Sequence, residues 1–355
     1  MGTNATSGQF DQVEVSKNLS QLIRSNTPHY WTYMKHRADL SSLEQYLPFE
    51  GIVSGDPHMG NFSVLPLKQV GGSRQMRYAD IDFDDAGRGP FVLDIIRYLI
   101  ASKSIGGQIK KRPLEISYLA GIAGKELSPP KEMRSLLAMP VSDYDDMVTR
   151  YVEKNSSKHG FVFRKGKIEP YNAKIARSTI ERLFPAEKVI DLAIRPEERG
   201  GSVDQLRIWV LVEHRESRRI VELKQYSKPA IANYQAQPPV HEWLNEIRRT
   251  FWPGLDGSAY DLIDLPGAGL FWIREKHVSL IDLPYSSKKS SDIALLDDIA
   301  SYDANVLGLA HGRQAEAAHY RAVVEKDADA FHNATEPIAK AYLELARENF
   351  RDERR

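Results

Sequence analysis

"GDPHMGNF" (residues 55–62) and, shortly after it, "YADIDFDDAGRGPFVLDIIRYL" (78–99) decide how this chain is read. The first places Asp56, His58 and Asn61 in one tight, glycine-flanked turn. The second brings Asp80, Asp82, Asp84 and Asp85 to the end of a strand-like run. Mg²⁺ is hard, octahedral and oxygen-seeking, and it commonly takes one or two carboxylates, with water and nucleotide phosphates completing its shell. Asp56 and Asn61 stand as D-x-x-x-x-N, and Asp82 follows after a strand-like segment. That set supplies a carboxylate base, a neutral amide ligand and an ionised metal ligand. The competing reading is local, since Asp and Asn in turns usually bond to their own backbone.

Around these motifs the pattern alternates in kind. "GIVSGDPHMGNFSVLPL" reads as strand, sharp turn and strand, and "RQMRYADIDF" as a further strand after a glycine turn. "FVLDIIRYLIAS" has apolar residues at 92, 95, 96, 99 and 100, the spacing of a helix with one buried stripe. Residues 8–47 also read as helical, as do segments between 105 and 190 that break at "SPP" (128–130) and "NSSKHG" (155–160). "GGSVDQLRIWVLVEHRESRRIVELKQY" (200–226) is two β-rich runs joined by a short polar turn, a hairpin signature. "PPVHEWLNEIRRTFW" reads as a helix with proline at its start, and "GAGLFWIREK" as another strand. From about 294 the chain is helical again, with Leu295, Ile299, Tyr302, Val306 and Leu309 on one stripe.

Bulk properties narrow the classes. The 355 residues carry 48 basic and 48 acidic side chains, a balance that disfavours a general nucleic-acid binder. There is no cysteine, so thiol nucleophiles, disulfides and thiolate metal sites are excluded. No apolar run approaches a membrane span, and the N-terminal residues lack the apolar stretch of a signal peptide. Gly2 with Thr6 fits the loose myristoylation pattern, which we read as coincidence. A cytoplasmic protein without membrane partners is expected.

The two opening motifs resemble the catalytic segment of the aminoglycoside-phosphotransferase branch of the protein-kinase-like superfamily. The likeness implies Asp56 as the catalytic-loop base, Asn61 as a metal ligand and Asp82 as the principal metal ligand. It also implies Asp94 as a structural aspartate bracing the catalytic loop. Histidine is usual at the position of His58, where we expect packing and hydrogen bonding rather than ligation. Asp84 occupies the place of the glycine in the usual metal-binding triplet and could assist the metal. ATP and Mg²⁺ are the implied cofactors.

An ordinary kinase-like chain places its nucleotide-clamping lobe before the catalytic loop, and here only about fifty residues come first. The strand-rich island is the candidate for that lobe. Gly200, Gly201 and Ser202 would form a phosphate-cradling turn, or simply a hairpin turn. Lys224 in "IVELKQY" would reach the α- and β-phosphates and pair with a helix glutamate. Glu242 and Glu246, four residues apart on one helix face, are both candidates for that glutamate.

The order of parts resembles an uncharacterised bacterial domain-of-unknown-function (DUF) family with a rearranged kinase-like layout. The pieces carrying this likeness are "GDPHMGNF", "DFDDAGRGPFVLD", "GGSVDQ", "ELKQY" and "LGLAHGRQA", between residues 50 and 315. Asp204 departs from it, standing where glycine is usual. The implied fold is α+β: two-lobed, protein-kinase-like and circularly permuted. Residues 1–190 would form a mainly helical large lobe, 191–285 a small antiparallel β-sheet lobe with one helix, and 286–355 helices returning to the large lobe.

The expected activity is ATP- and Mg²⁺-dependent transfer of the γ-phosphate to a hydroxyl of a small-molecule acceptor. The short turn between Asp82 and Asp94 leaves little room for a protein-substrate activation segment. The helices between 105 and 190 would form the acceptor pocket. A kinase-like nucleotide-binding pseudoenzyme and a nucleotidyltransferase are the alternatives. "GDPH…GN" also resembles the signature of calcineurin-like metallophosphoesterases, but the chain has no later GNH-type motif.

Overall fold

In the computed structural model, which describes residues 18–69, 71–105, 109–196, 205–215, 217–254, 260–275 and 290–352, the chain is α+β. Two short helices open it, α1 (Leu19–Ser25) and α2 (Thr27–His36). Asn18 caps the first by accepting the Gln21 N–H, and Pro28 sits in the first turn of the second, where its missing N–H does no harm. Strands β1 (Glu50–Val53), β2 (Phe62–Lys68), β3 (Arg74–Asp80) and β4 (Gly87–Pro90) follow. They form two antiparallel pairs, β1 with β4 and β2 with β3.

Helix α3 (Phe91–Ile105) then runs through the centre of the molecule. The single buried stripe expected for it is too narrow, because every residue from Phe91 to Ser102 is buried. A helix hydrophobic on nearly all sides is a core helix. Its two charged residues in that span, Asp94 and Arg97, are buried with it and must find partners there.

Next come α4 (Lys111–Ile122), α5 (Lys131–Leu137), α6 (Val141–Asn155), the two-residue strands β5 (Ser156–Ser157), β6 (Gly160–Phe161) and β7 (Glu169–Pro170), and α7 (Arg177–Glu181). Strands β8 (Lys188–Ile194), β9 (Arg207–His214) and β10 (Ser217–Gln225) lead into helix α8 (Val240–Phe251). The hairpin β11 (Tyr260–Leu265) and β12 (Gly269–Glu275) precedes the closing helices α9 (Ser290–Gly312), α10 (Ala317–Lys326) and α11 (Ala328–Asp352).

The larger sheet is antiparallel throughout, in the order β11-β12-β10-β9-β8-β7. Its period-two alternation separates two faces. Ile208, Val210, Val212, Val221, Leu223 and Phe271 face one way and pack with Ile180 and Phe184 beside α7. Trp209, Leu211 and Ile220 face the other way, against Val152 of α6 and Phe161. The sheet therefore begins with β7 and β8, earlier than the expected boundary at 191.

Helix α8 departs from the expected small-lobe helix. Val240, Trp243, Leu244, Ile247 and Phe251 belong to the main helical core, together with α3 and the closing helices. The last of the sequence-read helices, α9, presses backbone to backbone on α4. A Cβ added at Gly121 would lie 2.3 Å from the Asn305 carbonyl oxygen, and one at Gly308 2.2 Å from that of Tyr118. Only hydrogen fits there. Burial on α9 spreads well beyond the expected stripe, to Asp303, Asn305 and His311. Among the described residues no helix is long and apolar enough to cross a membrane.

Candidate active site

The turn after β1 has a fixed shape because several groups hold its backbone. Gly55 adopts φ +80°, and a Cβ there would sit 1.8 Å from the carbonyl oxygen of Asp85. The Asp94 carboxylate accepts the N–H groups of Ser54 (3.1 Å) and Gly55 (2.9 Å). Trp31 Nε1 donates to the Gly55 carbonyl at 2.8 Å. Asp94 is thus the brace of the turn. His311, at the end of α9, completes it: Nε2 lies 3.1 Å from Asp94 Oδ2, Nδ1 lies 2.8 Å from the Tyr118 hydroxyl, and the ring stacks on Phe91.

Asp56 follows on this turn. Its Oδ1 accepts from Arg97 Nη2 at 2.7 Å and Nε at 3.0 Å. Arg97 in turn donates to the Ile23 carbonyl and to Thr27, which ties Asp56 to α1 and α2. Burial raises the Asp56 carboxyl above the ordinary value, and the Arg97 charge opposes that rise. The Asn61 side-chain nitrogen donates to the Asp56 carbonyl at 3.0 Å, so its oxygen is the end left for a ligand. His58 caps the short 3₁₀ turn Met59–Asn61 by accepting the Gly60 N–H at Nδ1. Burial, with Arg24 and Arg97 nearby, keeps its ring neutral. That is a packing and hydrogen-bonding role.

The 80–85 loop lies alongside. Strand register sets Phe62 opposite Asp80, and the Ile81 N–H donates to the Asn61 carbonyl, so the two motifs are adjoining strand ends. Asp80 is buried and accepts from Ser54 Oγ (2.7 Å) and from the Asp82 N–H, a structural role. Phe83 packs among Phe251, Trp252 and Tyr260, and Trp252 Nε1 donates to the Asp80 carbonyl. Asp85 accepts the Ala230 N–H, and burial with the nearby Asp56 charge pushes its carboxyl up to about 7.

Asp82 is different: a third of its side chain is exposed. Burial pushes its carboxyl up, but Lys224, Arg274 and Arg207 outweigh that effect and hold it below the usual range. All three cations come from the sheet. Lys224 and Arg207 are cross-strand partners, as are Glu222 with Arg274 and Lys224 with Trp272, so one end of one sheet face carries them together. Lys224 is almost fully buried and forms an ion pair with Asp84, whose other oxygen accepts the Tyr260 hydroxyl at 3.0 Å.

The glutamate expected to hold Lys224 is therefore not the one found. Glu246 pairs with Arg88 at 2.7 Å and Glu242 is exposed, because α8 packs into the helical core; Asp84 takes the lysine. Gly200, Gly201 and Ser202 lie outside the described residues. Their flanking strands β8 and β9 end level with Lys224, where the Gln225 N–H donates to the Leu206 carbonyl.

Four participants escaped the sequence reading: Arg97, Arg207, Glu222 and Arg274. Arg97 was detectable as the basic residue in an apolar helix, Glu222 as the same-face neighbour of Lys224. Arg274 gives no comparable signal, since only strand register puts it there. Among the described residues no three His, Asp or Glu side chains group to hold a metal unaided. The donors present, an ionised, partly exposed Asp82 and an oxygen-presenting Asn61, suit a cation that completes its shell with phosphate and water. Comparison with known protein families, with curated proteins and with solved structures returns no match.

Proposed function

We propose that the chain is an ATP- and Mg²⁺-dependent phosphotransferase with a circularly permuted, two-lobed, protein-kinase-like fold. It moves the γ-phosphate to a hydroxyl of a small-molecule acceptor in the cytoplasm. The observation that carries this reading is the meeting of the sheet cations with the 80–85 loop, Lys224 on Asp84 and Arg274 at 3.5 Å from Asp82. Phosphoryl transfer needs positioning and charge neutralisation more than covalent help from the protein. A base on one side, metal-suited oxygens in the middle and cations above supply both.

In this reading Asp56 orients the acceptor hydroxyl and accepts its proton, with Arg97 fixing the carboxylate. Asp82 and Asn61 hold magnesium, which neutralises phosphate charge when bound. Lys224 and its neighbours on the sheet contact the phosphates. The helices bordering Asp56 are α1 and α2, through Ile23 and Thr27. The acceptor pocket itself is proposed among the helices between 105 and 190.

A second reading, a nucleotide-binding protein without transfer, draws on the same contacts, since both Lys224 and Asp56 are engaged within the protein. ATP labelled separately at the γ- and α-phosphates, incubated with Mg²⁺ and a metabolite extract, separates the cases. Transfer of γ-label supports the phosphotransferase; transfer of α-label identifies nucleotidyl transfer. Binding without transfer identifies the pseudoenzyme, and no Mg²⁺-dependent ATP binding sinks all three.

A further inference from the structure

Glu222 is completely buried and its two oxygens are divided between two strands. Oε1 accepts from Arg274 Nε (2.9 Å) and Nη2 (2.8 Å), while Oε2 accepts the Trp209 indole N–H at 2.9 Å. Two N–H groups of one guanidinium held on one carboxylate oxygen fix its plane. Arg274 is itself only 8% exposed, and its remaining nitrogen, Nη1, is turned toward Asp82 at 3.5 Å. That distance is too long for a firm hydrogen bond. A pre-oriented N–H group thus points at the carboxylate we assign to magnesium, beside a lysine already engaged by Asp84.

We propose that Arg274 is a phosphate-binding residue of the nucleotide site and that Glu222 is its positioning residue. The inference rests on the nucleotide-site reading given above and adds to it the group that supplies the directed contact. Glu222 and Arg274, cross-strand neighbours in the sheet, present a planar donor to a nucleotide di- or triphosphate. Asp84, from the 80–85 loop, sets the position of Lys224.

Equilibrium titration of the full chain with Mg²⁺-ATP, Mg²⁺-ADP and adenosine tests this, with unfolding followed in parallel. Arg274→Met is expected to weaken ATP and ADP binding roughly tenfold or more, the loss of one charge-assisted contact, while adenosine affinity stays unchanged. Arg274→Lys is expected to restore part of the loss. Because Arg274→Met takes the nearest cation from a buried carboxylate and leaves Arg207 at 3.7 Å, the paired variant Glu222→Gln/Arg274→Met serves as the folding control and is expected to show the same selective loss. Glu222→Gln alone, which leaves the cation but loosens its plane, is expected to lower the ATP-to-adenosine affinity ratio by less.

An unchanged ratio in the folded paired variant overturns the proposal and makes Arg274 a structural brace, while the nucleotide-site reading stands. Failure of the wild-type chain to bind Mg²⁺-ATP overturns both. A fall in ATP and adenosine affinity by the same factor also overturns it, since that is general loosening of the sheet.

Discussion

His311 Nε2 lies 3.1 Å from Asp94 Oδ2, so the end of a helix late in the chain is hydrogen-bonded to the carboxylate that holds the Ser54 and Gly55 amides. The late helix thereby helps to shape the early turn. His311→Ala removes this contact, the Tyr118 contact and the stacking on Phe91. We expect a loss of about 2–4 kcal/mol in urea unfolding, from the buried polar contact and the cavity together. A loss near zero would mean that Asp94 braces the turn alone.

Asp56 should give the rate its acid limb. A base must be ionised, so activity is lost as pH falls through its folded-state value, which burial places above the ordinary carboxylate range. Arg97→Met removes the opposing charge, so the limb moves to still higher pH. Stability should fall by about 3–5 kcal/mol at neutral pH, the usual consequence of breaking a buried ion pair. The check is a pH–rate profile of both proteins; an unmoved limb argues that another group titrates.

Asp82→Asn keeps the shape but removes the charge facing Lys224, Arg274 and Arg207. Phosphotransfer should drop on the order of a hundredfold or more, the scale of losing a preorganised electrostatic contact. Mg²⁺ should no longer enhance ATP binding. Magnesium titrations at fixed ATP measure this, and retained enhancement would remove Asp82 from the metal site.

Asp303 offers a stability test at a residue given no part in the site. It is buried beside the hydroxyls of Tyr78 and Tyr98, and burial raises its carboxyl well above the ordinary value. The folded state holds a proton that the unfolded chain releases above the normal carboxylate value. Its contribution is therefore fully present at low pH and declines as pH rises. Asp303→Asn should raise Tm at pH 8, with the gain shrinking toward pH 4. Equal shifts at both pH values would contradict the assignment.

Gly55 and Gly71 both have positive φ, +80° and +114°, but only Gly55 faces an obstruction. Gly55→Ala combines left-handed strain with a clash against the Asp85 carbonyl and should cost about 2 kcal/mol or more. Gly71→Ala, with nothing within 4 Å, should cost only the conformational part. Thermal unfolding of the two variants compares them directly, and equal losses would show that space at Gly55 is not limiting.

The residues within a few positions of one another were legible from the sequence alone. The turn "GDPHMGNF", the strand leading to Asp82, the helix carrying Asp94 and the β-rich run around Lys224 follow from local periodicity, glycine placement and residue chemistry. Local signals determine which elements form because each element's hydrogen bonds and alternation lie within a short window. They do not determine which elements meet. Tertiary structure decided that Asp84, rather than Glu242 or Glu246, takes Lys224, because α8 buries its apolar face in the helical core. It decided that Arg97 lies on Asp56, that strand register brings Glu222, Lys224 and Arg274 to one sheet face, and that His311 completes the Asp94 brace. Each of these pairings joins polar or charged groups far apart in the chain. Burial makes an unpaired charge too costly to tolerate, but only packing determines which partner is within reach.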